Sequence, residues 1–141
     1  MDLFNKLFFA LRPGGILFIV DYCCKDEGIE TCSSTFRSYF QPRGIELCSA
    51  AQYKADVAEA GFQIVEDSDE TRKLKLCTEE ELKKLSEGKD NFVKTFGDSN
   101  YKEMHGLWKS KAKWITHSKD LKLVKIVACK PLGAMPPGSP R

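Results

Sequence analysis

Lys111 is the residue whose setting asks for chemistry. From Ser99 onward, Met104, Trp108, Lys111 and Ile115 fall at i, i+4, i+7 and i+11, one stripe of a helix. A lysine on such a stripe either snorkels its ammonium to water along a buried stem or holds an anion, because a buried ammonium needs a partner. On the residues alone, Tyr22 reads as a core tyrosine with its hydroxyl at the rim, Tyr39 as an amphipathic contact and Arg43 as a solvated loop charge. Other groups point away from catalysis. Cys23, Cys24, Cys32, Cys48, Cys77 and Cys129 show no C-x-x-C spacing, and four of them sit beside apolar or strand-like residues. That fits reduced, packed thiols in a cytosolic protein rather than a disulfide framework or a zinc site, and no metal is expected. His105 and His117 read as surface or packing histidines.

The elements that must position these residues follow from periodicity and punctuation. Asp2 to Leu11 places Leu3, Phe4, Leu7, Phe8 and Leu11 on one helical stripe, and Arg12-Pro13-Gly14-Gly15 stops that helix. Ile16 to Tyr22 is then an apolar run broken only by Asp21, which predicts a strand buried on both faces in the middle of a parallel sheet. Helix, tight loop and buried strand make the second half of a β-α-β unit, so a partner strand is expected upstream of Met1 or in another chain.

Phe36, Tyr39 and Phe40 share a face of a short helix that Pro42 ends near Phe40 or Gln41. Ser49-Ala50-Ala51-Gln52 is a capping box opening a helix through Val57 and Ala60, closed by Gly61. Phe62 to Glu66 reads as a short strand and is followed by a charged stretch to Leu76. Thr78-Glu79-Glu80-Glu81, a second capping box, opens a helix that Gly88 interrupts before a short one around Phe92, Val93 and Phe96. The Lys111 helix and a final strand, Leu121 to Cys129, complete the order. Three strands with five or six helical pieces and no internal repeat give an α/β fold class, the C-terminal half of a doubly wound Rossmann-like domain with an incomplete sheet and helical insertions. Residues 1–130 form that partial domain, and 131–141, rich in proline and glycine, form a disordered tail.

Composition excludes several classes. The chain has 141 residues, 42% hydrophobic and 30% charged, with 22 basic against 20 acidic residues and a formal charge of +2. That is the length and composition of one globular domain, without the basic field a nucleic-acid partner requires. No apolar run approaches the roughly 20 residues that span a bilayer, so no membrane association and a cytoplasmic location are expected.

The helix ending in "LRPGG", the strand ending in "DYC", the Tyr-x-x-x-Arg pair at Tyr39 and Arg43, the "QYKADVAEAGF" helix and the tryptophan-bearing helix before a terminal strand resemble the phosphoethanolamine N-methyltransferases. The resemblance runs from about Leu3 to Pro131, over the second half of a family domain. It implies an S-adenosylmethionine-dependent enzyme that methylates the amine of phosphoethanolamine on the way to phosphocholine. It further implies that Tyr22, Tyr39, Arg43 and Lys111 hold the phosphate of a small phosphobase substrate, a role that suits a guanidinium fork, an ammonium and neutral donors around a dianion.

Three departures qualify the likeness: Ile45 replaces a phosphate-contacting tyrosine, Pro42 and Gly44 flank Arg43, and the cofactor's glycine-rich loop and acidic ribose ligand are absent. The family's catalytic tyrosine and histidine also belong to the absent part, so this chain alone is expected to be inactive. The alternatives are another small-molecule S-adenosylmethionine-dependent methyltransferase, or a non-catalytic interaction module whose open sheet edge pairs with a second chain.

Overall fold

The computed structural model describes residues 3–133. Its elements in chain order are α1 (Leu3–Ala10), β1 (Ile16–Cys24), α2 (Ser34–Phe40), α3 (Ala50–Glu59), β2 (Gln63–Asp69), α4 (Thr71–Glu87), α5 (Lys89–Phe96), α6 (Asp98–Thr116) and β3 (Leu121–Cys129). Residues 134–141 of the expected tail lie outside the described residues. The strands make one sheet in the order β1-β3-β2, with both pairs antiparallel.

Alternation along the strands assigns the two faces. Leu17, Ile19 and Cys23 of β1 join Val124, Ile126 and Ala128 of β3 in a cluster with Phe8 of α1 and Val57 and Ala60 of α3. On the other face, Tyr22 and Cys24 join Leu121 and Leu123, packed against Phe36 and Phe40 of α2, Leu74 of α4, and Trp114 and Ile115 of α6. Helices on both faces are what an α/β domain requires.

The place expected for Ile16 to Tyr22 is corrected. β1 is an edge strand running antiparallel to β3, and Ile16, Phe18 and Val20, on the same face as Tyr22 and Cys24 but short of the helices that cover those two, are 57%, 63% and 50% exposed. The central position belongs to β3, whose residues are buried or half-buried from end to end. An apolar run specifies burial that the whole sheet would supply, and this part of the sheet leaves one edge of β1 unpaired.

Local signals explain most boundaries. Gln52 N–H donates to Ser49 Oγ at 3.2 Å at the start of α3, and Gly61, at φ +101°, closes it with N–H bonds from Gly61 to Ala58 and from Phe62 to Val57. Thr78, by contrast, opens nothing. α4 already begins at Thr71, whose N–H is taken by the Asp69 side chain at 2.8 Å, and Thr78 lies buried in mid-helix. The charged stretch that runs to Leu76 is helical from Thr71, and β2 runs to Asp69 with a bulge between Ile64 and Glu66.

The α1–β1 turn is clipped to the end of β3. Gly14 N–H donates to the Lys130 carbonyl at 2.7 Å, while the buried Lys130 ammonium donates to the carbonyls of Phe8 and Leu11 at 2.6 and 2.9 Å. A cation is thereby held at the carboxyl end of α1, where the helix dipole favours it.

Candidate phosphate site

α6 crosses the sheet face that carries Tyr22. Trp114 and Ile115 bury themselves in the cluster beneath it, and this fixes the helix so that Lys111, one turn earlier, meets β1. Lys111 Nζ lies 5.4 Å from the centre of the Tyr22 ring and 5.5 Å from that of Trp108. The Trp108 indole is oriented by donating from Nε1 to Glu81 at 2.9 Å. Among the described residues Lys111 has no hydrogen bond and no carboxylate within ion-pair distance. Two ring faces hold a half-buried ammonium by cation–π attraction, roughly 0.5–2 kcal/mol. The result is a cation with free donors near the carboxyl end of β1, which is where open α/β sheets bind ligands.

Tyr39 and Arg43 form a second pair. The chain leaves α2 through a 3-10 turn at Gln41–Arg43, closed by Gly44 at φ +66°. This geometry turns Arg43 back on the preceding helix. Its guanidinium carbon stacks 3.9 Å from the Tyr39 ring centre, and Nη1 donates to the Tyr39 carbonyl at 2.6 Å. Arg43 thus caps the carboxyl end of α2, with the guanidinium exposed. Tyr39 and Tyr22 border the same cluster around Trp114, yet no ring contact or hydrogen bond joins the two pairs among the described residues. The structure brings Lys111 to Tyr22 and Arg43 to Tyr39 and leaves the four as two pairs.

The concavity beside Arg43 suits no anion. It measures about 610 Å³ and is bordered by Ile45, which is 45% exposed, and by the carboxylates of Glu30, Glu46 and Asp56, with no lysine or arginine among its lining residues. A dianion there would meet like charge. The Lys111–Tyr22 pair is the better half of the site.

One group that sequence reasoning missed holds α2 in place. The fully buried carboxylate of Asp120 accepts the Ser33 hydroxyl at 2.6 Å and the Ser33 N–H at 3.1 Å, and Lys25 Nζ lies 3.2 Å away. Desolvation pushes this carboxyl upward, but the hydrogen bonds from Ser33 and Ser118, with that from Lys25, outweigh it and leave the group below the usual carboxylate range. Asp120 thereby ties the start of β3 to the start of the helix bearing Tyr39. A single aspartate before an apolar strand carries no signal that would have marked it.

The thiols do not take part. Burial pushes Cys23 up to about 12 and Cys24 up to about 11, so both stay protonated near neutrality, and all six cysteines are free. His105 stacks on Tyr101 and contacts Ser86, and His117 contacts Thr116, which are packing and capping roles. Among the described residues no group of three or more metal-binding side chains is gathered, and no helix is long and apolar enough to cross a membrane.

Comparison with known proteins gives the geometry a context. No protein-family profile matches the chain. Phosphoethanolamine N-methyltransferase 1 of Zea mays is 34% identical over 110 residues, covering 78% of this chain and 21% of the maize protein. Among solved structures, phosphoethanolamine N-methyltransferase 2 of Haemonchus contortus, in complex with phosphomonomethylethanolamine and S-adenosylhomocysteine, superposes with a TM-score of 0.83 at 28% identity. That match covers 92% of this chain and 29% of the nematode protein. The cyclopropane synthase MmaA2 of Mycobacterium tuberculosis, at 13% identity and a TM-score of 0.77, shares the fold alone. The chain spans about a fifth of the length of the plant proteins it matches. Its curated homologues are phosphoethanolamine N-methyltransferases, and its fold is that of part of a Rossmann-like methyltransferase domain.

Proposed function

We propose, from its homology with part of the phosphoethanolamine N-methyltransferases, that this chain supplies the phosphate-binding side of a phosphobase N-methyltransferase site. The observation that carries the proposal is the meeting of Lys111 with Tyr22: an ammonium without a carboxylate, held between two rings near the carboxyl end of a strand. A phosphate monoester there accepts hydrogen bonds from the ammonium and the phenol, and Arg43 and Tyr39 complete the anchor if the guanidinium swings off its own helix. The reaction is methyl transfer from S-adenosylmethionine to the amine of phosphoethanolamine, in the direction of phosphocholine. Anchoring the phosphate several bonds from the nitrogen uses binding energy to position the amine, and none of the four residues touches the bond that forms.

The residues present do not fit the cofactor. Gly14 and Gly15, the one glycine pair beside a strand, precede β1 rather than follow it, and their N–H groups already bond Lys130 and Arg12 carbonyls. A glycine-rich turn after a strand is what an adenosyl or nucleotide group requires, so no step through the cofactor is assigned to this chain. The open edge of β1 supports a complementary reading, in which strands of a longer polypeptide or a second chain complete the sheet and carry that group. On this account the 141-residue chain binds phosphobases in the cytoplasm without methylating them.

Calorimetric titration of the chain with phosphoethanolamine tests the anchor. Binding that weakens about 10- to 100-fold in Lys111→Met, the loss of one charge-assisted hydrogen bond, is the expected result. Equal affinity in both proteins would overturn the assignment.

A further inference from the structure

An apolar groove adjoins the Lys111 ammonium on the same helix. α5 packs across α6 and leaves two adjoining hollows of about 590 and 410 Å³, which share Phe92, Phe96, Met104 and Trp108; the larger is closed on one side by α4 through Glu81, Lys84 and Leu85. The smaller one extends along α6 to Leu107, one helical turn before Lys111. Trp108 lines both hollows and turns a ring face toward the Lys111 ammonium at 5.5 Å, so the indole stands between groove and cation. Phe96 and Met104, which line both hollows, are 59% and 40% exposed, so the groove presents a contiguous apolar wall to solvent. The polar groups at the rim are accounted for in part: Glu81 accepts from Trp108, and Lys84 pairs with Glu80. Glu103 lines the smaller hollow four residues before Leu107, about two helical turns from Lys111.

An uncompensated cation at one end of an apolar trough is complementary to one class of molecule, an anionic head on an aliphatic chain. We infer that the groove between α5 and α6 takes the hydrocarbon chain of a single-chain phosphate ester whose phosphate sits on Lys111 and Tyr22. The inference rests on the phosphate anchor proposed above and extends its substrate class from free phosphobases to alkylated ones. Volumes of this size lie within the range of small-ligand sites. Binding involves no covalent step: the ammonium and phenol donate to the phosphate while methylenes leave water along Trp108, Met104 and Phe96.

The test is titration of the full chain with phosphocholine and with butyl, hexyl and octyl phosphocholine, each below its micelle concentration. Affinity is expected to rise about two- to fourfold per added methylene, the range from a partly to a fully buried group. Phe96→Asp, at an exposed position where circular dichroism can verify folding, removes that dependence while phosphocholine still binds. Lys111→Met weakens every member of the series by a similar factor and keeps the slope. Phosphocholine binding with no effect of chain length would overturn the groove and leave the phosphate anchor standing. A chain-length effect that survives Phe96→Asp would place the chain elsewhere and overturn it as well. Failure of every ligand to bind would overturn the anchor and the inference together.

Discussion

Lys111 and Asp120 show two ways in which a charged side chain is kept in a half-dry place. Lys111 is held by ring faces and stays available, whereas Asp120 is engaged by two hydrogen bonds from Ser33 and an ion pair with Lys25 and serves structure. The sequence marks the first, since a lysine on an apolar stripe is anomalous, and hides the second, whose partners come from distant loops. Because hydrogen bonds hold the Asp120 carboxyl below its ordinary range, its contribution to stability is complete above the usual carboxylate range and is lost as pH falls through its lowered value. Asp120→Asn is expected to cost about 2–3 kcal/mol at neutral pH and to flatten the acid limb of the stability curve. Urea melts of both proteins from neutral to acid pH measure this; a constant difference at all pH values would contradict the role. The family resemblance implies one anchor of Tyr22, Tyr39, Arg43 and Lys111, and the turn at Pro42 and Gly44, which folds Arg43 back onto Tyr39, is the physical reason these two stand as a separate pair.

At the scale of elements, the capped and punctuated segments were the legible ones. β3 has the expected bounds Leu121–Cys129, α3 begins at its Ser49 cap, and Gly88 parts α4 from α5. Thr78 misled because threonine followed by glutamates has the same composition at a cap and in mid-helix; its neighbours in space decide. Among the described residues its buried Oγ1 has no hydrogen-bond partner. Thr78→Val, which keeps the shape and removes the unsatisfied hydroxyl, is therefore expected to raise stability by about 1 kcal/mol, read as a higher urea midpoint at unchanged slope. A midpoint that falls would mean the hydroxyl has a partner. The Lys111 stripe is legible in part: Ile115 turns into the cluster on the sheet and Lys111 reaches Tyr22, while Met104 and Trp108 line the α5 groove, and nothing in the spacing marks the buried Tyr101 and Trp114.

Among the described residues the molecule is a three-stranded sheet with helices on both faces, and its apolar edge strand β1 has one side unpaired. An edge of nine residues without lysine or proline is a template for pairing. The isolated chain is accordingly expected to self-associate at micromolar concentration, and Phe18→Lys, at the most exposed of the strand's large apolar residues, to shift it toward monomer in sedimentation velocity; a wild-type monomer across that range would show the edge to be protected. The apolar character of β1 and its want of a partner strand are legible in the sequence; its antiparallel pairing with β3 is not, because composition reports how buried a strand needs to be and pairing decides beside what it lies.

The central claim is that this chain holds a phosphobase by its phosphate through Lys111 and Tyr22, and thermal unfolding followed by circular dichroism tests it most directly. A ligand that binds only the native state raises its stability by mass action, about 2.7 kcal/mol at a hundredfold excess over Kd. The account predicts a cooperative transition that moves up with added phosphoethanolamine in the wild type and stays in place in Lys111→Met. A cooperative transition at the same temperature with and without the ligand in both proteins would contradict it.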